Sequence, residues 1–375
     1  MTEGKKVVLE RITEKGPITF EEFMELALYH PRHGYYTRPG QKIGRGGDYY
    51  TSVHVSKIFG QSIGRQLIEM GFILGWEELK LVEYGAGEGY LALDILETLW
   101  QELPRWAGKI PYYICEESEY HRRQQKHRLE AYLNQVYWIE EPGDINQGRP
   151  FKGIVFSNEL VDAFPVHRVK QIGGRLQEIY IGYEQGSLVE KPGELSTPVL
   201  GEYFPFLGFK LQEGQEAEIN LRALRWLQEV SLNLERGFVL TIDYGYEVNE
   251  LANPRRFDGT VMCYYQHRAD TNPLDGIGLK DITSHVNFTA LMEYGREYGL
   301  EVTGFTNQMK FLVGLEAGKE LENQDLSPAE KQKLSLALKE LLMPDKMGER
   351  FQVLIQHKGL SEKPVLSGLK GFSSW

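Results

Sequence analysis

Three glycines at alternate positions, Gly85, Gly87 and Gly89, constrain the fold of this chain more than any other feature. They follow an apolar run at residues 80–84 and lead directly into a helical pattern that begins at Tyr90. Glycine has no Cβ atom, so its backbone can turn sharply and lie close against a ligand. The spacing Gly-x-Gly-x-Gly differs from the Gly-x-Gly-x-x-Gly fingerprint of dinucleotide-binding folds. The motif predicts a strand, a ligand-holding loop and a helix in direct succession.

Strands and helices alternate from residue 79 onward. Helical patterns separate several short apolar runs of strand length. These runs are residues 80–84, 112–115, 136–139, 153–156 and 238–242. A succession of strand, helix and strand favours a parallel sheet, because parallel neighbours need a crossover connection. We therefore expect an α/β fold, a doubly wound and mostly parallel Rossmann-like sheet with an N-terminal helical cap and a β-meander insertion.

The domain boundary is expected near residue 78. Residues 1–78 are predicted to form the helical cap with a loop rich in glycine and tyrosine, and residues 79–375 the sheet domain. Two stretches interrupt the alternation of strands and helices. Residues 166–215 contain apolar runs separated by turn residues, which is typical of a β-meander followed by a further segment. Residues 249–287 are mostly aperiodic and predict a long loop.

Acidic residues accompany the glycine loop and the strand that follows it. Glu83 and Glu88 would repel a pyrophosphate but would suit a cationic amino-acid ligand. Glu116 ends the second strand, where an acid can accept hydrogen bonds from both hydroxyls of a ribose. The combination suits S-adenosylmethionine, which carries a sulfonium, an amino group and a free ribose. A glycine turn in an α/β enzyme of another kind is the alternative.

The segment Asn158-Glu159-x-x-Asp162 follows the fourth strand. Ligands of doubly wound sheets bind at the carboxyl ends of central strands, so these side chains would lie near the cofactor. If a helical turn starts here, Glu159 and Asp162 share a face. The carboxylates could grip a guanidinium, whose planar fork matches carboxylate geometry, or act as a general base. The alternative is a helix cap beside a solvated glutamate.

Ordered motifs run along nearly the whole chain. They are His-Pro-x-x-Gly-Tyr-Tyr at 30–36, Gly-Asp-Tyr-Tyr-Thr-Ser at 47–52 with Phe59-Gly60, the glycine loop at 83–89, Asn-Glu-x-x-Asp-Ala-x-Pro-Val-His at 158–167, Asp-Tyr-Gly at 243–245, and a late group at 259–260, 281–283 and 286–288. In this order they resemble the motifs of the MidA-like methyltransferases. That family contains the mitochondrial complex I assembly factor that methylates an arginine.

The resemblance implies an S-adenosylmethionine-dependent methyltransferase that acts on a protein side chain, arginine in that family. Under this hypothesis Asn158 would orient the acceptor, and Glu159 and Asp162 would hold it. The residues that would bind the cofactor are Glu83, Gly85, Gly87, Gly89, Glu116, Thr51 and Ser52. Candidate substrate residues in or beside the motifs are Tyr36, His54, His167, Asp243, Tyr244 and His267.

The chain departs from the family pattern at three places. Val53-His54 replaces the usual Pro-Glu, and Asn287 replaces an Asp. An Arg-rich run is reduced to His267 and Arg268. If the family residues bind the protein substrate, the substrate of this chain differs.

Charge and cysteine content limit the partners. The chain has 42 basic and 53 acidic residues and a formal net charge of −11, which disfavours nucleic acid because phosphate binding normally needs a basic surface. An uncharged run of membrane-spanning length is absent from the sequence, so we expect no membrane partner. Cys115 and Cys263 are too few for a disulfide framework and lack metal-ligand spacing. We expect a cytoplasmic protein that holds no metal ion. Formation of a homodimer is compatible with the sequence.

Two other functions stay open at this point. One is a small-molecule O-methyltransferase in which a histidine such as His167 or His54 acts as the base. The other is a non-catalytic assembly factor that binds the cofactor or a partner protein.

Overall fold

The computed structural model describes residues 2–38, 40, 52–322 and 325–370 of the chain. The helices are α1 (Glu3–Lys15), α2 (Phe20–Tyr29), α3 (Ser52–Val55), α4 (Lys57–Leu74), α5 (Tyr90–Glu102), α6 (Glu119–Arg128), α7 (Pro198–Phe206), α8 (Leu221–Asn233), α9 (Phe288–Glu297), α10 (Gln308–Gly314) and α11 (Pro328–Leu342). The strands are β1 (Ile18–Thr19), β2 (Lys80–Tyr84), β3 (Tyr112–Cys115), β4 (Val136–Ile139), β5 (Phe151–Asn158), β6 (His167–Ile172), β7 (Arg175–Glu184), β8 (Ser187–Gly193), β9 (Glu216–Ile219), β10 (Leu234–Tyr246), β11 (Met262–Tyr265), β12 (Arg268–Asp270), β13 (Asp281–Thr283), β14 (Val286–Asn287), β15 (Glu301–Asn307) and β16 (Phe351–Lys358).

These elements form two compact units, each built from several segments of the chain. The antiparallel-sheet unit comprises Met1–Tyr49, Val161–Trp226 and Gly245–Glu293. The parallel-sheet unit comprises Tyr50–Leu160, Leu227–Tyr244 and Tyr294–Trp375.

The parallel-sheet unit contains the predicted doubly wound sheet. Its strand order is β15-β16-β10-β5-β2-β3-β4, in which β10, β5, β2, β3 and β4 run parallel and β16 runs antiparallel to both of its neighbours. The chain builds outward from β2 in one direction and from β5 in the other. The gap between these strands is therefore the topological switch point, where ligands of such sheets bind. The predicted fold class is confirmed.

Two glycines bring α4 close to α5. A Cβ atom on Gly60 would lie 2.4 Å from the Cβ of Asp94, and one on Gly64 would lie 2.9 Å from the Cβ of Thr98. Only glycine leaves room for this approach. Because α4 packs on α5, it belongs to the parallel-sheet unit, and the boundary expected near residue 78 falls inside that unit.

The core of the parallel-sheet unit lies between the sheet and these helices. Its buried side chains include Phe59, Ile95, Leu81, Phe156 and Leu240. Burial of such side chains stabilises the unit by about 1.5–3 kcal/mol for each one. The packed sheet thus forms a rigid platform for the polar side chains at its carboxyl edge.

The antiparallel-sheet unit contains the predicted β-meander. Its strands lie in the order β1-β7-β6-β9, with β8 also paired to β7, and all of these pairings are antiparallel. The turn between β6 and β7 uses Gly173 and Gly174 at φ of 58° and 76°. Two successive residues with positive φ match the twist of a tight hairpin, which is why glycine is used there.

The segment 249–287 is more regular than the sequence predicts. It contains β11, β12 and β13, which form a small antiparallel sheet in the order β12-β11-β13. It also contains β14, which pairs in parallel with the end of β10 through Gly245 and Val286. These strands have two to four residues each, too few for an alternating pattern to be visible in the sequence.

Two kinds of feature are absent from the described ranges. No helix in them is long and apolar enough to cross a membrane. The same residues contain no group of three or more His, Cys, Asp or Glu side chains that could hold a metal ion.

Candidate active site

The glycine loop lies at the switch point of the parallel sheet. Gly85, Gly87 and Gly89 have φ of 66°, 52° and 83°, which is the left-handed region that residues with a Cβ atom rarely adopt. A Cβ atom on Gly85 would lie 2.7 Å from the Cδ1 of Leu160. Gly89 precedes α5, and no side chain caps this helix. The loop is therefore a backbone cradle that a side chain would fill.

Glu83 lies in β2, two residues before this loop. The residue is 2% exposed, and the Tyr112 hydroxyl donates a hydrogen bond of 2.6 Å to its Oε2. Burial raises the pKa of Glu83 to about 8, and the nearby negative charge of Glu116 acts in the same direction. Glu83 is thus held largely protonated near neutral pH until a cation approaches it.

Glu88, the other acid of the loop, is engaged by a basic residue. The Arg128 Nε donates to the Glu88 carbonyl oxygen at 2.7 Å, and an Arg128 terminal nitrogen lies 3.4 Å from Glu88 Oε2. The guanidinium of Arg128 also lies 3.4 Å from the ring centre of Tyr90. The sequence predicts that Glu88 faces a cationic ligand, whereas its charge here is offset by Arg128.

Glu116 stands at the end of β3, next to the glycine loop. Its Oε1 accepts a hydrogen bond of 2.9 Å from the Ser118 backbone N–H, and its Oε2 accepts one of 3.2 Å from the Gln125 side chain. Gln125 also donates to the Gly87 carbonyl oxygen at 2.7 Å. Each carboxylate oxygen can accept a further hydrogen bond, so both remain suited to the ribose diol for which the sequence predicts them.

Asn158 and Glu159 follow the neighbouring strand, β5. The Asn158 Nδ2 donates to Glu159 Oε1 at 3.1 Å. The Oδ1 of Asn158 is buried and has no hydrogen-bond partner among the described residues. Glu159 leaves the strand with a φ of 53°, so the helical turn considered for residues 159–162 does not form. With this left-handed backbone, the side chain of Glu159 lies near residues of β10.

The fifth parallel strand, β10, contributes Asp243 and Tyr244 to the same cluster. Asp243 is fully buried, and its Oδ2 accepts a hydrogen bond of 3.2 Å from the Leu160 N–H. The Tyr244 hydroxyl lies 3.4 Å from Glu159 Oε2, and its ring packs on Phe351 at 4.0 Å between centroids. Asp243 and Tyr244, which the sequence predicts as substrate residues, are far from Glu159 in the chain and lie close to it in the fold.

Glu159 has a strongly shifted acidity. Burial of the carboxyl group and, after it, the negative charge of Asp243 together raise its pKa to about 8, against hydrogen bonds that lower it. One of those bonds comes from the Ser52 N–H, 3.4 Å from Oε1. Such a carboxyl group binds a proton or a cation near neutral pH.

Ser52 anchors the segment that approaches this cluster. It is fully buried, and its Oγ donates to Gln308 Oε1 at 3.1 Å. Thr51, which the sequence places beside it, lies outside the described residues, as does the side chain of His54.

The remaining predicted residues lie in the antiparallel-sheet unit. Asp162 is buried, and its carbonyl oxygen accepts a hydrogen bond of 3.0 Å from the Ser284 N–H. His167 Nδ1 is 2.7 Å from Glu178 Oε1. The Tyr36 hydroxyl donates to Asp281 Oδ1 at 2.7 Å. His267 lies in an exposed turn at a φ of 60°.

The site also contains three residues that the sequence does not predict: Tyr112, Gln125 and Leu160. Tyr112 and Gln125 are fully buried polar or aromatic side chains that touch the cofactor-side acids, and Leu160 contacts the glycine loop. Gln125 lies in the highly charged helix α6, where a glutamine gives no signal that it is buried.

The glycine cradle and the acid at the end of β3 fit S-adenosylmethionine, and comparisons with known proteins agree. A family model described as "Putative S-adenosyl-L-methionine-dependent methyltransferase" matches residues 62–306. A crystal structure of a protein from Burkholderia thailandensis bound to S-adenosyl-homocysteine is 29% identical, with a TM-score of 0.86, over 98% of this chain and 94% of that one. The protein is an S-adenosylmethionine-dependent methyltransferase with a Rossmann-like sheet. The chain belongs to the family that this model describes.

Curated relatives cover most of the chain. The protein arginine methyltransferase NDUFAF7 homolog, mitochondrial, of Drosophila melanogaster is 28% identical over 95% of this chain and 85% of its own length. The protein arginine methyltransferase NDUFAF7, mitochondrial, of Danio rerio is 27% identical over 92% and 85%, and that of Homo sapiens 26% identical over 98% and 88%. The predicted family resemblance is confirmed.

These names correct the expected location. The sequence predicts a cytoplasmic protein, but the relatives are named as mitochondrial, and this contradicts the prediction. Cys115 and Cys263 are both free, which is compatible with any reducing compartment and does not single out the cytoplasm.

Proposed function

We propose that this methyltransferase transfers a methyl group to a side-chain nitrogen of arginine in a protein substrate. The observation that carries the proposal is the half-buried Glu159 carboxyl group at the switch point, with Asp243 behind it and the Asn158 Oδ1 beside it. Glu159 and the Asn158 Oδ1 offer oxygen atoms that accept hydrogen bonds, and Asp243 adds negative charge. A guanidinium offers five N–H donors and one positive charge, so it satisfies such a site better than a hydroxyl or a carboxylic acid does.

In this proposal Glu159 holds the acceptor by charge and Asn158 orients one of its N–H groups. Asp243 acts as a positioning residue, because it is fully buried and its carboxylate oxygens accept the backbone N–H groups of Leu160 and Tyr244. Asp162 stays a predicted contributor from the antiparallel-sheet unit. The predicted substrate roles of Tyr36, His54, His167, Tyr244 and His267 likewise stay predictions.

The cofactor would be held by residues of the parallel-sheet unit. Gly85, Gly87 and Gly89 would cradle it, Glu116 would bind the ribose hydroxyls, and Glu83 would face its amino group. Thr51 and Ser52 are retained as predicted cofactor residues. When bound, S-adenosylmethionine supplies a methyl group on a positively charged sulfur.

The chemistry of transfer is a direct displacement. The lone pair of the guanidinium nitrogen forms the new N–C bond as the C–S bond breaks, and the bonding pair remains on sulfur. The nitrogen then loses one proton to water, so the acceptor stays a monocation. Glu159 offsets the repulsion between two cations and aligns the nitrogen, so catalysis comes chiefly from positioning and electrostatics.

The names of the curated relatives support a protein arginine acceptor. The net charge of −11 supports a protein partner over nucleic acid. Absence of a membrane partner and formation of a homodimer stay predictions. For the O-methyltransferase alternative, His167 pairs through Nδ1 with Glu178, and the side chain of His54 lies outside the described residues. No contact among the described residues specifically favours the non-catalytic alternative.

Transfer of a labelled methyl group into a cell extract tests the proposal. The labelled products are separated by size, and the protein fraction is hydrolysed to amino acids. We expect the label in methylated arginine. Label confined to small molecules, or to base-labile methyl esters, would overturn the proposal.

A further inference from the structure

Gln125 links the glycine loop to the acid at the end of β3. The residue lies on α6 and is fully buried. Its Nε2 donates to the Gly87 carbonyl oxygen at 2.7 Å and to Glu116 Oε2 at 3.2 Å. One amide group therefore contacts both parts of the chain that would hold the cofactor.

The orientation of this amide is fixed by a tryptophan. The Trp138 Nε1 donates to Gln125 Oε1 at 2.8 Å. An indole N–H can only donate, so the oxygen of the amide must face Trp138 and the NH₂ group must face Gly87 and Glu116. Both of those partners only accept, as a carbonyl oxygen and a carboxylate do. The three contacts are consistent with a single orientation.

Gln125 also packs against the third glycine of the loop. A Cβ atom on Gly89 would lie 3.2 Å from the Cγ of Gln125. The side chain thus touches the loop at two of its three glycines, by a hydrogen bond at Gly87 and by packing at Gly89. Its aliphatic part and its amide both limit how far the loop can move from Glu116.

We propose that Gln125 is a positioning residue for the cofactor. It fixes the Gly87 carbonyl and the Glu116 carboxylate relative to each other, so that the acid presents its free acceptor positions to the ribose hydroxyls before the cofactor arrives. This inference rests on the cofactor site proposed above. Gln125 acts through Glu116 and the loop, and the site for the methyl acceptor does not depend on it.

The inference predicts an effect on one substrate only. Loss of the amide weakens binding of S-adenosylmethionine and raises its KM, while the KM of the protein acceptor stays unchanged. A merely structural role would lower stability and impair both substrates together.

The experiment is titration of S-adenosylhomocysteine into the wild type, Gln125→Met and Gln125→Glu. Methionine keeps the length of the side chain and removes both donors, and we expect the Kd to rise about 10- to 100-fold. Glutamate places a carboxylate oxygen against two acceptors. We expect Gln125→Glu to have a still higher Kd for S-adenosylhomocysteine near neutral pH. This Kd should fall as the pH is lowered, because the protonated glutamic acid regains a hydrogen-bond donor.

Gln135→Met is the matched control. Gln135 is 7% exposed, and its Oε1 accepts a hydrogen bond of 3.2 Å from the Trp100 Nε1, so it is also a buried glutamine paired with an indole. It does not belong to the cofactor site. We expect the Kd of Gln135→Met to match that of the wild type. If Gln125→Met is as thermally stable as Gln135→Met, a folding defect is excluded as the cause of its weaker binding.

Glu116→Gln separates this inference from the proposed cofactor site. If Glu116→Gln weakens binding and Gln125→Met does not, the inference about Gln125 is overturned and the site stands. If Glu116→Gln leaves the Kd unchanged, the assignment of Glu116 fails, and with it a role of Gln125 through that acid. An affinity of Gln125→Glu that does not respond to pH would also overturn the inference.

Discussion

The carboxylate of Asp243 accepts a hydrogen bond from the backbone N–H of Leu160, with 3.2 Å between the nitrogen and Oδ2. Leu160 directly follows Glu159, and its Cδ1 lies 2.7 Å from the position that a Cβ atom on Gly85 would take. The buried Asp243 thus holds Leu160, which lies between Glu159 and the glycine loop. We expect a change of Asp243, which holds Leu160 in place, to affect both substrates.

Gly85→Ala is expected to weaken cofactor binding. The new methyl group meets Leu160, and a φ of 66° costs a residue with a Cβ atom about 1–2 kcal/mol, so the loop must move. Titration with S-adenosylhomocysteine should show a Kd about tenfold higher or more. Gly148→Ala is the control, because Gly148 has a φ of 76° and no atom within 4 Å of an added Cβ. Equal affinities of the two variants would contradict the account.

Binding of an arginine peptide should release a proton. The pKa of Glu159 is raised to about 8 by burial and by Asp243, so the free enzyme carries its proton below that pH, and a bound guanidinium favours the charged form. Calorimetry in buffers of different ionisation enthalpy should show release of about one proton near pH 7 and almost none near pH 9.5. Release that is independent of pH, or persists in Glu159→Gln, would show that another group titrates.

Tyr244→Phe should impair the acceptor and leave the cofactor unaffected. The variant loses the hydroxyl 3.4 Å from Glu159 Oε2 but keeps the ring that packs on Phe351. Loss of one such hydrogen bond corresponds to about a 2- to 10-fold decrease in kcat/KM for the acceptor. Steady-state kinetics with each substrate varied in turn measures this. A raised Kd for S-adenosylhomocysteine would argue against the predicted role.

Glu83 should make the stability of the free enzyme depend on pH. Its folded pKa of about 8 lies above the ordinary value of 4.5, so the unfolded chain loses this proton first and stability falls as the pH rises between these values. Glu83→Gln removes this dependence and still accepts the Tyr112 hydroxyl bond. Urea unfolding at several pH values should show the variant gaining a few kcal/mol on the wild type across this range. If the free energies of unfolding of the two proteins change with pH in parallel, the raised pKa of Glu83 is contradicted.

The sheet and the cofactor loop could be predicted because their signals are local. Gly85, Gly87 and Gly89 are close in sequence, and each adopts the left-handed backbone for which glycine is needed. The apolar runs that became β2, β3, β4, β5 and β10 were each visible without their neighbours. Local pattern and global fold agree at these positions.

The partners of Glu159 could not be predicted from spacing. The sequence indicates Asp162, three residues away, as the second carboxylate, because a helical turn would place both on one face. The structure instead has Glu159 at a φ of 53° and brings Asp243 close through the pairing of β10 with β5. Sequence distance gives no information on this contact, since strand order decides it. The same holds for Gln125, which becomes visible only when α6 packs on the loop.

The most direct test of the account compares arginine methylation by Glu159→Gln and by Glu229→Gln. Glu229 is a half-buried acid of the same unit whose pKa is also raised by burial, and it is not one of the residues assigned to the acceptor or the cofactor. Labelled methylarginine is quantified after hydrolysis of the protein fraction, with S-adenosylhomocysteine affinity measured for each variant. We expect Glu159→Gln to lose about 100-fold or more in transfer with unchanged cofactor affinity, because the charge pair with the guanidinium is broken, while Glu229→Gln keeps wild-type transfer. Undiminished arginine methylation by Glu159→Gln would contradict the account.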